Sequence, residues 1–213
     1  ARLVGLAAIP LLTAAAVGAS LALAGGVAQA VTRNPLADPY LLGVSSGAGF
    51  GVVVLTVFGL GAGTLGLFTL PAAAFLGALL PLVGTVMVAR RAHDPTAIVL
   101  VGAAMTMVFS ALITFTLLVL GDVHQLGTVM RWLAGGFGDA SWRMVAVPMV
   151  VLAVTGTAVM LASRRLDLLL TGDDGATAMG MNVPRFRVLL LLTVSLLTAG
   201  AVAVSGTIGF IGL

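Results

Sequence analysis

Residues 39–89 read PYLLGVSSGAGFGVVVLTVFGLGAGTLGLFTLPAAAFLGALLPLVGTVMVA and contain no Asp, Glu, Lys, Arg or His. A transmembrane helix needs roughly 20 apolar residues. The stretch is too long for one crossing and long enough for two. The Gly-rich run at 59–63, GLGAG, divides it and predicts spans over 41–58 and 67–89. Its apolar residues run continuously instead of alternating, which predicts helices and argues against a β-barrel.

Charge-free windows on either side predict four further spans, over 6–31, 96–120, 144–163 and 188–204. The expected fold is therefore all-α: a polytopic helical membrane protein with six spans in a single transmembrane domain over 1–213. Composition agrees. Hydrophobic residues make up 60% of the 213 and charged residues 8%, with a mean hydropathy of +1.21. Soluble domains carry roughly 25% charged residues, so lipid must cover much of this surface. The first apolar segment is too long for a signal peptide and leads directly into more spans. The chain begins at Ala1 and stops at Leu213 inside an apolar run, which predicts a fragment or a processed chain.

All basic residues are Arg and all acidic residues are Asp. Without Lys there is no Walker A loop, so any ATP is bound by another chain. Without Cys there are no disulfides, thiolate metal sites or Cys nucleophiles. The high isoelectric point reflects only the excess of Arg over Asp. With no basic stripe, no nucleic-acid partner is expected.

Arg33, Arg90, Arg91, Arg164, Arg165, Arg185 and Arg187 follow the first, third and fifth spans, and only Arg2, Arg131 and Arg143 lie on the opposite side. The positive-inside rule places the larger set in the cytoplasm and the chain's N-terminus outside, which suggests a further span upstream. The external loop 121–143 holds Trp132, Phe137 and Trp142, aromatic anchors for the lipid interface, and predicts a short interfacial helix near 129–133. The cytoplasmic loop 164–187 predicts a short helix from Asp173 to Met179. Asp173 and Asp174 would cap its start and Gly180 would end it.

On the first span Ala14, Gly18, Ala22, Gly26 and Ala30 recur every four residues. Such a smooth face predicts close helix–helix packing. Gln29 near the same helix end would bond a neighbour or line a path. In 33–39, RNPLADP, both prolines keep the residue before them out of the α region. Asn34 and Asp38 supply turn and cap groups. A rigid, folded return into the membrane follows, with Ser45, Ser46, Gly47 and Gly49 at the start of the second span. Gln29, Asn34, Ser45, Ser46 and Gly47 are expected to line a weakly interacting passage, with Asp122, His124 and Gln125 near its outer mouth. His93 and His124 fall on opposite sides and cannot share a metal, so no metal site is expected. No acid–base or nucleophile set is present, which sets a membrane enzyme aside. A self-sufficient secondary carrier or channel is the alternative to a transport subunit. The lack of ionisable groups within spans two to six counts against it.

Four segments carry a resemblance. Residues 18–51, GASLALAGGVAQAVTRNPLADPYLLGVSSGAGFG, come first, and residues 131–143, RWLAGGFGDASWR, second. Residues 168–187, LLLTGDDGATAMGMNVPRFR, and 203–213, AVSGTIGFIGL, complete the series. In this order they resemble the FecCD-type permease subunits of ABC importers for iron–siderophore, haem and cobalamin. The resemblance implies a ten-helix type II permease bundle, of which this chain resembles helices two to seven and the start of the eighth. It implies a multi-pass protein of the bacterial cytoplasmic membrane that pairs with a second permease copy or homologue, as a homodimer or a heterodimer. Two ATPase subunits carrying ATP and Mg, and an extracytoplasmic binding protein, would complete the importer, and this chain would hold no cofactor. Iron–siderophore is the leading cargo. The family's cytoplasmic loop maps onto Asp173, Asp174, Gly175, Ala178, Met179 and Gly180, the expected ATPase-coupling element. The family often carries an Arg pair just outside the first of these helices, where this chain has LAAIPLL at 6–12.

Overall fold

The computed structural model describes residues 2–60, 66–89, 95–138 and 141–208, all helix, turn or irregular backbone with no strand among them. Arg90, Arg91, His93, the Gly61–Gly63 part of the expected break and the terminal run 209–213 lie outside the described residues. Long apolar segments form α1 (Arg2–Thr32), α3 (Gly66–Ala89), α4 (Pro95–Leu120), α6 (Trp142–Leu161) and α9 (Val183–Ser205). All five are long and apolar enough to cross a membrane. Proline stands inside α1, α3 and α6, tolerated in membrane helices where neighbouring groups satisfy the freed carbonyl.

The bundle is built around α9, 72% of whose most apolar window is buried, against 11% for α4. α9 contacts α1, α2, α3 and α6, while α4 lies along α2 and α3 at the periphery. Leu190, Leu191, Val194 and Leu197 of α9 join Val27 and Val31 of α1 and Val52 and Val53 of α2 (Val44–Val57) in one buried core.

The expected second span is corrected. α2 has 14 residues, about 21 Å at the helical rise of 1.5 Å per residue, too short for a hydrocarbon core of about 30 Å. The missing length comes from residues 37–43, which fold into the bundle after an exposed turn at 34–36. The Asn34 side chain accepts from the Leu36 N–H. Asp38 caps a 3-10 turn over Pro39–Leu42 by accepting from Tyr40 N–H at 2.7 Å. Gly43, at φ +77°, turns the chain into α2. Tyr40 packs against a cluster of Val17, Leu21 and Ala201. Leu21 lies eleven residues before Thr32, about 16 Å along α1. A Cβ at Gly102 of α4 would collide with the Leu41 carbonyl.

α2 and α3 meet through their backbones. A Cβ at Gly47 would stand 2.5 Å from the Gly77 carbonyl and 2.6 Å from the Pro81 ring, and Cβ atoms at Gly51 or Gly77 would also strike backbone. This is the close small-residue seam of membrane bundles, on a different helix from the expected one. At the expected stripe, Gly18 and Gly26 have nothing within 4 Å of a built Cβ. Ala22 and Gly26 are exposed, and Ala14 and Ala30 are half-buried.

The external helix is longer than expected, spanning Val123–Ala134 (α5). Asp122 and Gln125 form a reciprocal capping box at its start. Its far end leaves the interface for the bundle. Val129 is fully buried, and Leu133 lies beside Gly49. The Leu133 carbonyl accepts from the Thr207 hydroxyl, and Gly136 N–H donates to the Ser205 carbonyl at 2.8 Å. Trp142 remains exposed, as an interfacial anchor would be, whereas Phe137 packs with Val17, Leu21 and Ala201.

Candidate functional site

At the Arg-rich end α6 leads into α7 (Ser163–Leu170) and the short α8 (Asp173–Ala178) before α9 begins. Gly172, at φ +104°, starts α8 without a side-chain cap. This corrects the expectation that Asp173 caps the helix: its carboxylate is drawn to two guanidiniums instead. Arg187 Nη2 donates to Asp173 Oδ1 at 2.9 Å and Oδ2 at 3.1 Å, and Arg33 Nη2 also pairs with Oδ1. Arg187 belongs to the second turn of α9 and its side chain is 2% exposed. It is no loop residue, because an Arg whose charge is paired can sit inside a helix end. Ends of α1, α8 and α9 thus converge on one carboxylate.

The two faces of α8 differ. Ala176 is fully buried in the core, so it is turned toward this chain's own helices and not toward a partner. Asp174, Ala178, Met179 and Gly180 are exposed, and Gly175 is half-buried. Gly180, at φ +84°, closes the helix as expected: its N–H donates to Thr177 O at 2.9 Å, and Met181 N–H donates to Ala176 O at 3.0 Å. Such an end needs a residue in the left-handed region, which glycine adopts without a Cβ penalty. Asn182 caps α9 by accepting from Arg185 N–H. An open groove of about 530 Å³ lies beside α8, bordered by Arg165, Leu168, Met179, Arg185 and Phe186.

A second feature lies between the re-entrant segment and α4. A groove of about 550 Å³ is lined by Asp38, Tyr40, Leu41, Ser45, Ala103, Thr106, Met107 and Thr207. The Tyr40 hydroxyl accepts from Ile208 N–H at 3.4 Å, and Asp38 Oδ2 is buried with no protein partner. Of the expected path residues only Ser45 borders this groove. Ser46 donates to Gly43 O, and Gly47 is buried in the α2–α3 seam. Gln29 is half-buried and Asn34 exposed in its turn. Asp122 and Gln125 serve the α5 cap beside the end of α2, where Gln125 Nε2 donates to Val57 O at 3.5 Å. His124 is exposed next to them. Asp38, Tyr40, Thr106 and Thr207 were missed. The signal for Asp38 was its place between two prolines, which fold it inward. Among the described residues no three His or acidic groups gather as metal ligands.

The family model for the FecCD transport family matches residues 5–213. The chain belongs to that family. A cobalamin import system permease protein, BtuC of Halobacterium salinarum, is 38% identical over 202 residues, covering 93% of this chain and 53% of the relative. A hemin transport system permease protein, HmuU of Yersinia pestis, is 37% identical over 205 residues, covering 95% and 61%. YvrB of Bacillus subtilis, an uncharacterised ABC transporter permease, is 36% identical over 203 residues, covering 94% and 57%. The chain therefore spans a little over half the length of these relatives. A solved metal-chelate-type ABC transporter in an inward-facing conformation superposes with a TM-score of 0.86 at 30% identity, over 96% of this chain and 64% of that one. As a FecCD-family chain it is a polytopic helical membrane protein with the fold of an ABC transporter permease.

Proposed function

We propose that this chain forms part of the permease of an ATP-driven importer in a bacterial cytoplasmic membrane, and that α8 is the element an ATPase subunit grips. The observation that carries this reading is the construction of α8. It is a short helix held to two membrane helices through Asp173, with Asp174, Ala178 and Met179 left exposed on the Arg-rich end. Asp173, Gly175 and Gly180 shape and anchor it. Small and adaptable side chains such as Ala178 and Met179 suit burial against a partner. Hydrolysis, with ATP and Mg, belongs to that partner, because this chain has no Lys for a Walker A loop. A second permease copy or homologue and an extracytoplasmic binding protein complete the assembly.

Cargo passes beside the re-entrant segment, with Ser45, Asp38, Tyr40 and Thr106 along the groove. Gln29, Asn34 and Ser46 lie toward one end, and Asp122, His124 and Gln125 lie at the outer mouth. The groove offers hydroxyls and one carboxylate instead of a cluster of ligands, which suits passage more than retention. Relatives named for hemin and cobalamin, and a neighbour named for metal chelates, support a large chelate as cargo. An iron–siderophore leads, followed by haem and cobalamin.

The test is Ala178→Arg in the full-length permease, which sets a bulky charge in the contact. Co-purification of the ATPase and cargo-stimulated hydrolysis should both fall while the membrane bundle stays intact. Retention of both at parental levels contradicts the docking role.

A further inference from the structure

We infer that Arg33 is a positioning residue: through Asp173 it ties α8 to the point where α1 gives way to the re-entrant segment, so that displacement of α8 moves that segment. The inference rests on the reading of α8 as the docking element and adds the route by which its motion reaches the groove.

Arg33 occupies a backbone position that favours glycine. At the end of α1 the Asn34 N–H donates to the Gln29 carbonyl at 3.2 Å, six residues closing back on one, with Arg33 at φ +51°. It is the one non-glycine positive φ among the described residues. α8 closes with the same motif and uses Gly180. A long side chain in this region is uncommon, and strained positions persist where surrounding interactions hold them. The holding interaction here is the guanidinium, which reaches Asp173 across 140 positions of sequence.

Arg187 makes the link stiff. It is buried, its Nε has no protein partner, and its other contacts fall on Asp173. A shift of the first turn of α8 away from Arg187 would leave a buried charge unpaired. Asp173 is thus fixed to α9 by Arg187 and to α1 by Arg33. Beyond Arg33 the chain is turned by Asn34 and Asp38 directly to Tyr40 on the groove, with no loose stretch in which motion would be lost.

Arg33→Gly separates the side chain from the backbone, since glycine suits the left-handed geometry and removes the whole side chain, guanidinium included, without disturbing the turn. In the full-length permease assembled with its ATPase, the variant should keep its melting temperature and co-purification. Cargo moved per ATP should fall severalfold, and Arg33→Lys, which keeps the charge, should recover part of it. Spin labels at Leu36→Cys and Thr177→Cys, both exposed and in a chain with no native Cys, should show a narrow distance distribution that broadens in Arg33→Gly. An unchanged distribution, or parental transport per ATP in Arg33→Gly, overturns the inference. The docking reading fails separately, through ATPase co-purification and cargo-stimulated hydrolysis retained in Ala178→Arg, and the label distances report the Arg33 link in either case.

Discussion

Arg187, buried in the second turn of α9, shares the Asp173 carboxylate of α8 at 2.9 and 3.1 Å. Removing one partner of a buried charge pair is more harmful than never having the pair, because the survivor stays desolvated. Asp173→Ala should lower stability by about 3 kcal/mol, the low end for such pairs because Asp173 is partly exposed. Asp174→Ala, at an exposed neighbour, should stay within about 0.5 kcal/mol. Thermal unfolding in detergent separates the two, and equal losses would show that Arg187 is satisfied without Asp173.

The α2–α3 seam predicts a sharp contrast among glycines. Gly51→Ala or Gly47→Ala puts a methyl against helix backbone. The helices must then part, at a penalty of about 1–3 kcal/mol or more. Gly18→Ala has open space and should be neutral or slightly stabilising through helix propensity. Yield and melting temperature of the three variants check this. Equal behaviour would place a partner on the α1 stripe.

Much of this was legible in residues. Charge-free windows found α1, α3, α4 and α6 to within a few residues, since charges mark where a chain meets water. The same logic misplaced the start of α9 at residue 188, because Arg187 has its own carboxylate and does not need water. Window length could not distinguish a full span from a folded segment plus the short α2, although Pro35, Asp38 and Pro39 announced the return into the membrane. Four-residue spacing found a smooth face on α1 but said nothing of what lies opposite. Gly47 and Gly51 carried the same spacing and meet Gly77. The groove was half-legible: Ser45 was read, while Thr106 and Thr207 approach it only through the packing of α4 and the chain end beyond α9.

Orientation is checked by single cysteines. Arg165→Cys on α7 should react with an impermeant maleimide only from the cytoplasm, and Arg131→Cys on α5 only from outside, following the Arg bias. The opposite pattern inverts the bundle and removes α8 from reach of an ATPase.

The groove predicts that Ser45→Cys and Thr106→Cys react with a small hydrophilic thiosulfonate in the full-length permease. Transported cargo should slow both reactions. Protection at neither Ser45 nor Thr106 would move the passage elsewhere.

The central claim, that α8 is where an ATPase subunit drives this permease, is tested most directly by cross-linking from Ala178→Cys in the assembled, full-length transporter. The account predicts a cross-link to the ATPase subunit at high yield, and protection of the same cysteine from cytoplasmic maleimide. A cysteine at 178 that stays fully reactive and joins no ATPase in an otherwise active transporter would contradict it.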